Sequence, residues 1–143
     1  MMNLPASSDR EMQPDLAPIE LSLARDVEAP GQARTAVSAL AAELELRRSI
    51  AHTLVLLVSE VVSNAVLHST GPDDAPIGLS AGVIDDVVRV TVTDAGDGFI
   101  PTERDPDRIE GGYGLYLVAK AASSWGVDPG PPTSVWFELP IEA

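Results

Sequence analysis

The sequence predicts an α/β two-layer sandwich (α+β), a mixed but mainly antiparallel sheet covered on one face by helices. Three observations lead there. Apolar side chains recur at helical spacing in two adjacent segments, and short alternating or β-branched runs mark four strands. The elements follow the order β-α-α-β-β-loop-α-β, which suits one sheet with helices laid on it. The 143 residues, 45% apolar and 22% charged, have the size and make-up of one ordinary globular domain. A domain of about 150 residues buries roughly 70% of its unfolded surface, enough for a proper core.

Residues 1–17, rich in acids and prolines, read as a disordered tail, leaving 18–143 as the folded domain. The segment IELSL, beginning at Ile19, alternates apolar and polar side chains as an edge strand does. Asp26 and the Pro30-Gly31 pair open a helix running to about Leu46, with Ala33, Val37, Leu40, Ala41 and Leu44 on one side. Arg47-Arg48-Ser49 interrupts the pattern. A second helix then runs to about Ser69, its stripe of Ile50, Leu54, Leu57, Val58, Val61, Ala65 and Val66 wide enough for deep packing.

GPDDAP, from Gly71, is a loop. Strands at 77–83 and 87–93 flank Ile84-Asp85-Asp86, and the β-branched run VVRVTV belongs near the centre of the sheet. The stretch from Asp94 to Gly112 fills with Gly, Pro and charges, and a structureless loop of that length in a small domain is usually functional. A third helix fits residues 113–124, and SVWFEL, from Ser134, is the last strand.

There is no cysteine, so disulfides and thiolate metal sites are excluded and a reducing cytoplasm is the expected compartment. The first residues lack the apolar core of a signal peptide. The longest unbroken apolar run, from Leu54 to Val58, falls short of the roughly 20 residues that span a bilayer. A net charge of -13 repels nucleic acid and anionic membranes, so neither is an expected partner. The same field does nothing to attract a nucleotide. Any such site must be organised locally, around a cation and backbone N–H groups.

Three motifs carry possible chemistry. Glu60, Asn64 and His68 stand at i, i+4 and i+8 along one helix face, beside apolar Leu57, Val61 and Ala65. On spacing alone the plainer explanation is a solvated stripe. Yet Asn is a poor helix former, an amide carbonyl can join a Mg²⁺ shell, and a carboxylate one turn away can act as a general base. Second, Thr93-Asp94-Ala95-Gly96-Asp97-Gly98-Phe99 follows directly on a strand. Its Asp can accept a hydrogen bond from an adenine amino group, and its glycines permit close approach of a ligand. Third, Gly111-Gly112-Tyr113-Gly114-Leu115 opens the third helix, where backbone N–H groups form an anion site. It is neither a Walker A loop, lacking Lys-Ser/Thr, nor a Rossmann fingerprint.

Singly each motif is weak. Together, and in this order, LLVSEVVSNAVLHS, TDAGDGF and GGYGLYLV resemble the three boxes of the GHKL superfamily of Bergerat-fold ATPases. More narrowly, the chain resembles the small serine-kinase anti-sigma factors of the RsbW/SpoIIAB type, above all the short actinobacterial ATP-binding regulators, over roughly residues 18–140. The resemblance implies ATP and Mg²⁺ as cofactors, with Asn64 as the metal ligand and Glu60 as the catalytic base. It implies Asp94 at the adenine amino group, Gly96 and Gly98 framing the base, Gly112, Gly114 and Leu115 at the phosphates, and Ser134 as a hydroxyl near the adenine.

The implied partners are a sigma factor and an anti-anti-sigma protein of the STAS type, with a homodimer also in keeping with the family. His52, in SIAHTL, lacks the charged flank of a phosphoacceptor, which argues against a histidine autokinase. Arg104 and Arg108 could neutralise phosphates or pair with Asp105, Asp107 or Glu110. Two readings stay open: a protein serine/threonine kinase, and a binding module that sequesters a partner when ATP is bound. Glu60 separates them.

Overall fold

The computed structural model describes residues 18–96 and 113–141. Its elements are β1 (Ile19–Leu23), α1 (Ala29–Glu43), α2 (Arg48–His68), β2 (Ile77–Ile84), β3 (Val87–Asp94), α3 (Tyr113–Ala121), β4 (Ser124–Asp128) and β5 (Thr133–Pro140). The five strands form one sheet in the order β1-β2-β3-β5-β4, which puts VVRVTV in the middle as expected.

Two expectations need correcting. All four strand pairings are antiparallel, so the described sheet is not mixed. The third helix also stops at Ala121 instead of continuing to residue 124, and Ser124–Asp128 is an additional edge strand. The segment SWGVD is short, and its central Gly126 carries no side chain to register a face, so alternation could not reveal it. Gly126 is required there by its neighbour: a Cβ would lie 2.8 Å from the ring of Trp136, its cross-strand partner.

The first helix is also shorter than its periodicity suggests. The N–H of Leu46 donates to Ala41 and that of Glu45 to Ala42, while Glu45 takes a left-handed φ of 55°. This is a Schellman ending, in which Leu46 turns inward against the core while the helix itself ends at Glu43.

Side chains alternate across the sheet with period two. Leu79, Ala81, Val88, Val90, Val92, Val135, Phe137 and Leu139 point to one face and join a single core with Val37, Leu40, Leu54, Leu57, Val58, Val61 and Val118 of the three helices. Among the described residues, α2 alone has the length and mean hydropathy, 1.8, of a membrane-crossing helix. Ile50, Leu54, Leu57, Val58, Val61, Val62 and Ala65 are buried in the domain, which supplies a reason for much of its hydrophobicity, while Leu56 and Leu67 are exposed.

The opposite face carries the other parity, Ser80, Thr91, Thr93, Ser134 and Trp136 among them. It also holds Arg89 and Glu138, directly opposed on β3 and β5 and bonded at 2.8 Å. Both are about as buried as the apolar core, with 5% and 4% of their surface exposed. The guanidinium lies 4.2 Å from the centroid of Trp136.

Candidate nucleotide site at the end of the central strand

The site is built where three chain segments meet on the helix-covered face. α2 is capped by Ser69, β3 ends in Asp94, and β5 begins at Thr133, which pairs with Asp94. The hydroxyl of Ser69 donates to Asp94 Oδ1 at 2.9 Å, and the N–H of Gly96 donates to the same oxygen at 2.7 Å. The second bond closes an Asx turn that bends the chain away from the strand. Among the described residues both bonds fall on Oδ1, so Oδ2 of this half-buried carboxylate is the oxygen left for an incoming donor.

The glycines here are a matter of contact. A Cβ on Gly71 would lie 2.9 Å from the carbonyl carbon of Ala95, and one on Gly96 would lie 2.7 Å from Thr70 Oγ1. The loop after α2 is thus pressed against the Asp94–Gly96 turn with no space for a methyl group. Gly71→Ala is expected to destabilise the fold by about 1–3 kcal/mol, as overpacking against backbone does. A chemical-denaturation midpoint unchanged from wild type would show that the two loops separate easily.

Glu60 and Asn64 are both half-buried on α2, while His68 is exposed. Neither the Glu60 nor the Asn64 side chain has a hydrogen bond among the described residues. By helix rise they stand about 6 Å apart, and Asn64 lies about 7.5 Å along the axis from Ser69. Both therefore stand on the turns of α2 that precede the Ser69 contact with Asp94. Half-buried and unbonded to other described side chains, their polar atoms are open to water or to a ligand. They fit the implied Mg·ATP on this ground. Among the described residues no cluster of three His, Asp or Glu side chains could cage an ion, so a Mg²⁺ held by Asn64 would share its shell with phosphate oxygens and waters.

The remaining expectations divide. Gly114 and Leu115 fall in the first turn of α3, which packs against α2. Gly98, Gly112, Arg104 and Arg108 lie outside the described residues. Ser134 is on the wrong face: its hydroxyl meets Thr93 Oγ1 at 3.0 Å on the side of the sheet away from Asp94. The hydroxyl on the Asp94 side is that of Thr133, which is buried and donates to the Gly96 carbonyl at 2.9 Å. A one-residue step reverses the face in a strand, and the sequence TSVWF offers two adjacent hydroxyls without saying which points inward.

Sequence reading also missed Ser69 and Arg25. The signal for Ser69 was a hydroxyl at the end of the polar helix; Arg25 gave none.

The comparisons with known proteins agree with this architecture. The family model described as histidine kinase-like ATPase domain matches residues 23–137. The chain is 29% identical over 113 residues to the serine-protein kinase RsbW of Bacillus subtilis, covering 70% of this chain and 71% of that protein. The RsbW of Oceanobacillus iheyensis is 27% identical over 113 residues, with 70% and 72% covered. Among solved structures, the RsbU and RsbW domains of a Mycobacterium tuberculosis protein superpose with a TM-score of 0.70 at 22% identity, over 87% of this chain. The histidine kinase domain of an Erythrobacter litoralis blue-light activated histidine kinase superposes with a TM-score of 0.53 at 24% identity, over 79% of it.

The chain spans 32% of the first solved structure and 59% of the second. Those two likenesses bear on the fold alone. With three motif boxes in order, an antiparallel sheet backed by helices, and a match running from the end of β1 into β5, the chain belongs to the histidine kinase-like ATPase domain family.

Proposed function

We propose that the protein is a regulatory protein serine/threonine kinase of the anti-sigma type, binding Mg·ATP and phosphorylating a serine on an anti-anti-sigma partner. The observation that carries this reading is the half-buried Glu60–Asn64 pair, without protein partners among the described residues, on the helix whose end locks Asp94. The serine-protein kinase relatives support it.

In this reading Asp94 Oδ2 accepts from the adenine amino group, while Gly71 and Gly96 keep the surrounding loops tight. Asn64 would hold Mg²⁺, which would supply charge neutralisation at the phosphates. Glu60 takes the proton of the substrate serine as the serine oxygen bonds to the γ-phosphorus and the bond to ADP breaks. The protein works by positioning: the phosphoryl group needs alignment and charge compensation more than covalent help. The acidic surface suits a target with a basic face, such as a sigma factor, in a cytoplasmic setting.

Asn64→Ala is expected to lower Mg·ATP affinity by about 100-fold, near 2.7 kcal/mol, because a direct ligand is removed. Calorimetric titration with and without Mg²⁺ measures it, and undiminished Mg-dependent affinity would remove Asn64 from the site. Incubation with labelled ATP and candidate antagonists tests the kinase itself. Label on a partner serine is the expected result; ATP binding with no transfer to any partner would leave a sequestering module instead.

A further inference from the structure

We infer that Arg25, outside all three motif boxes, is the positioning residue that sets adenine recognition, acting through Ser69 on Asp94. The inference rests on the reading of Asp94 as the adenine acceptor. Arg25 follows β1 in the chain, 41 to 46 residues from the carbonyls it binds. Its Nε donates to the Val66 carbonyl at 3.0 Å, one terminal nitrogen to Ser69 at 2.9 Å and the other to Gly71 at 3.2 Å. Only 13% of the side chain is exposed. The contact with Asp73, at 3.5 Å and with that carboxylate in open solvent, adds little.

The three carbonyls are those a helix leaves orphaned at its C-terminus and in the loop just beyond it. A guanidinium suits them twice, because its fork presents several N–H groups at once and its charge meets the negative end of the helix dipole. Holding these carbonyls fixes the direction in which the chain leaves α2. Ser69 lies within that held segment, accepts from the N–H of Gly71 at 3.1 Å, and is thereby turned so that its own hydroxyl donates to Asp94 Oδ1.

Locked on Oδ1 from two sides, the carboxylate can present only Oδ2 to a base. Without Arg25 the segment 69–71 loses its anchor to β1. Ser69 can then turn away, and Asp94 rotates free of one of its two restraints. What suffers first is the discrimination that depends on carboxylate orientation.

The test compares Mg·ATP with the triphosphate of purine riboside, which lacks the 6-amino group. Arg25→Met and Ser69→Ala are each expected to reduce the ATP preference by about tenfold, with affinity for the amino-less nucleotide nearly unchanged. Because both act on one carboxylate, the double variant should lose no more preference than either alone. Multiplying effects, or equal weakening toward both nucleotides, would reduce Arg25 to a general structural role and overturn the inference.

Should Arg25→Met not fold, Arg25→Gln keeps a polar side chain and loses the fork, and the same drop is expected. A folded Arg25→Gln with wild-type preference overturns the inference while leaving Asp94 in place. A wild-type protein indifferent to the 6-amino group overturns both.

Discussion

Glu60→Gln is expected to bind Mg·ATP with wild-type affinity and to transfer phosphate to its partner about 10²–10⁴ times more slowly, the contribution typical of a positioned general base. Gln keeps the length and the hydrogen-bonding capacity of the side chain, so the helix and its packing are retained. What is lost is the ability to accept a proton. Glu60 is half-buried and its side chain has no hydrogen bond or ion pair among the described residues, so the change disturbs none there. Single-turnover transfer from labelled ATP separates chemistry from binding. A Gln variant that transfers at the wild-type rate would assign the proton to another acceptor and leave Glu60 an ordinary helix residue.

Glu138→Ala is expected to cost about 3–5 kcal/mol of stability, the usual penalty for leaving a buried charge without its partner. Arg89 is 5% exposed and its 2.8 Å contact with Glu138 lies on the face of the sheet opposite the nucleotide site. The guanidinium would retain the Trp136 ring at 4.2 Å, but a ring quadrupole does not neutralise a desolvated cation. The paired replacement Arg89→Leu with Glu138→Leu should recover much of the loss, because apolar isosteres of a buried ion pair are often neutral. Chemical denaturation of Arg89→Leu, Glu138→Leu and the paired variant gives the coupling directly. Additive losses in the double variant would show that the two charges do not depend on each other.

Much of the fold was legible because its core elements follow one period each. The seven apolar positions of α2 recur at helical spacing, and all but Val66 reach the interior. β1 and the limits of β2 and β3 followed from alternation and β-branching to within a residue. The errors came where another force decided. The first helix ended early because Glu45 adopts a left-handed turn that draws Leu46 onto the core, a tertiary gain that periodicity does not record. β4 was hidden because its middle residue is the glycine that makes room for Trp136. The expectation of a mixed sheet failed because chain order says nothing about strand direction when connections are long enough to allow either.

The nucleotide site divides along the same line. Sequence alone determined which residue types stand in which order: a carboxylate and an amide one turn apart on α2, an Asp with two glycines after a central strand, and glycines at the start of α3. Those are local patterns, and local stereochemistry is enough to make them meaningful. Tertiary structure decided which atoms meet. It turned Thr133 toward Asp94 and Ser134 away, brought the end of α2 against the Asp94–Gly96 turn, and carried Arg25 across more than forty residues to the carbonyls behind Ser69. Each of these depends on strand register or on a long-range hydrogen bond, and neither leaves a periodic trace along the chain.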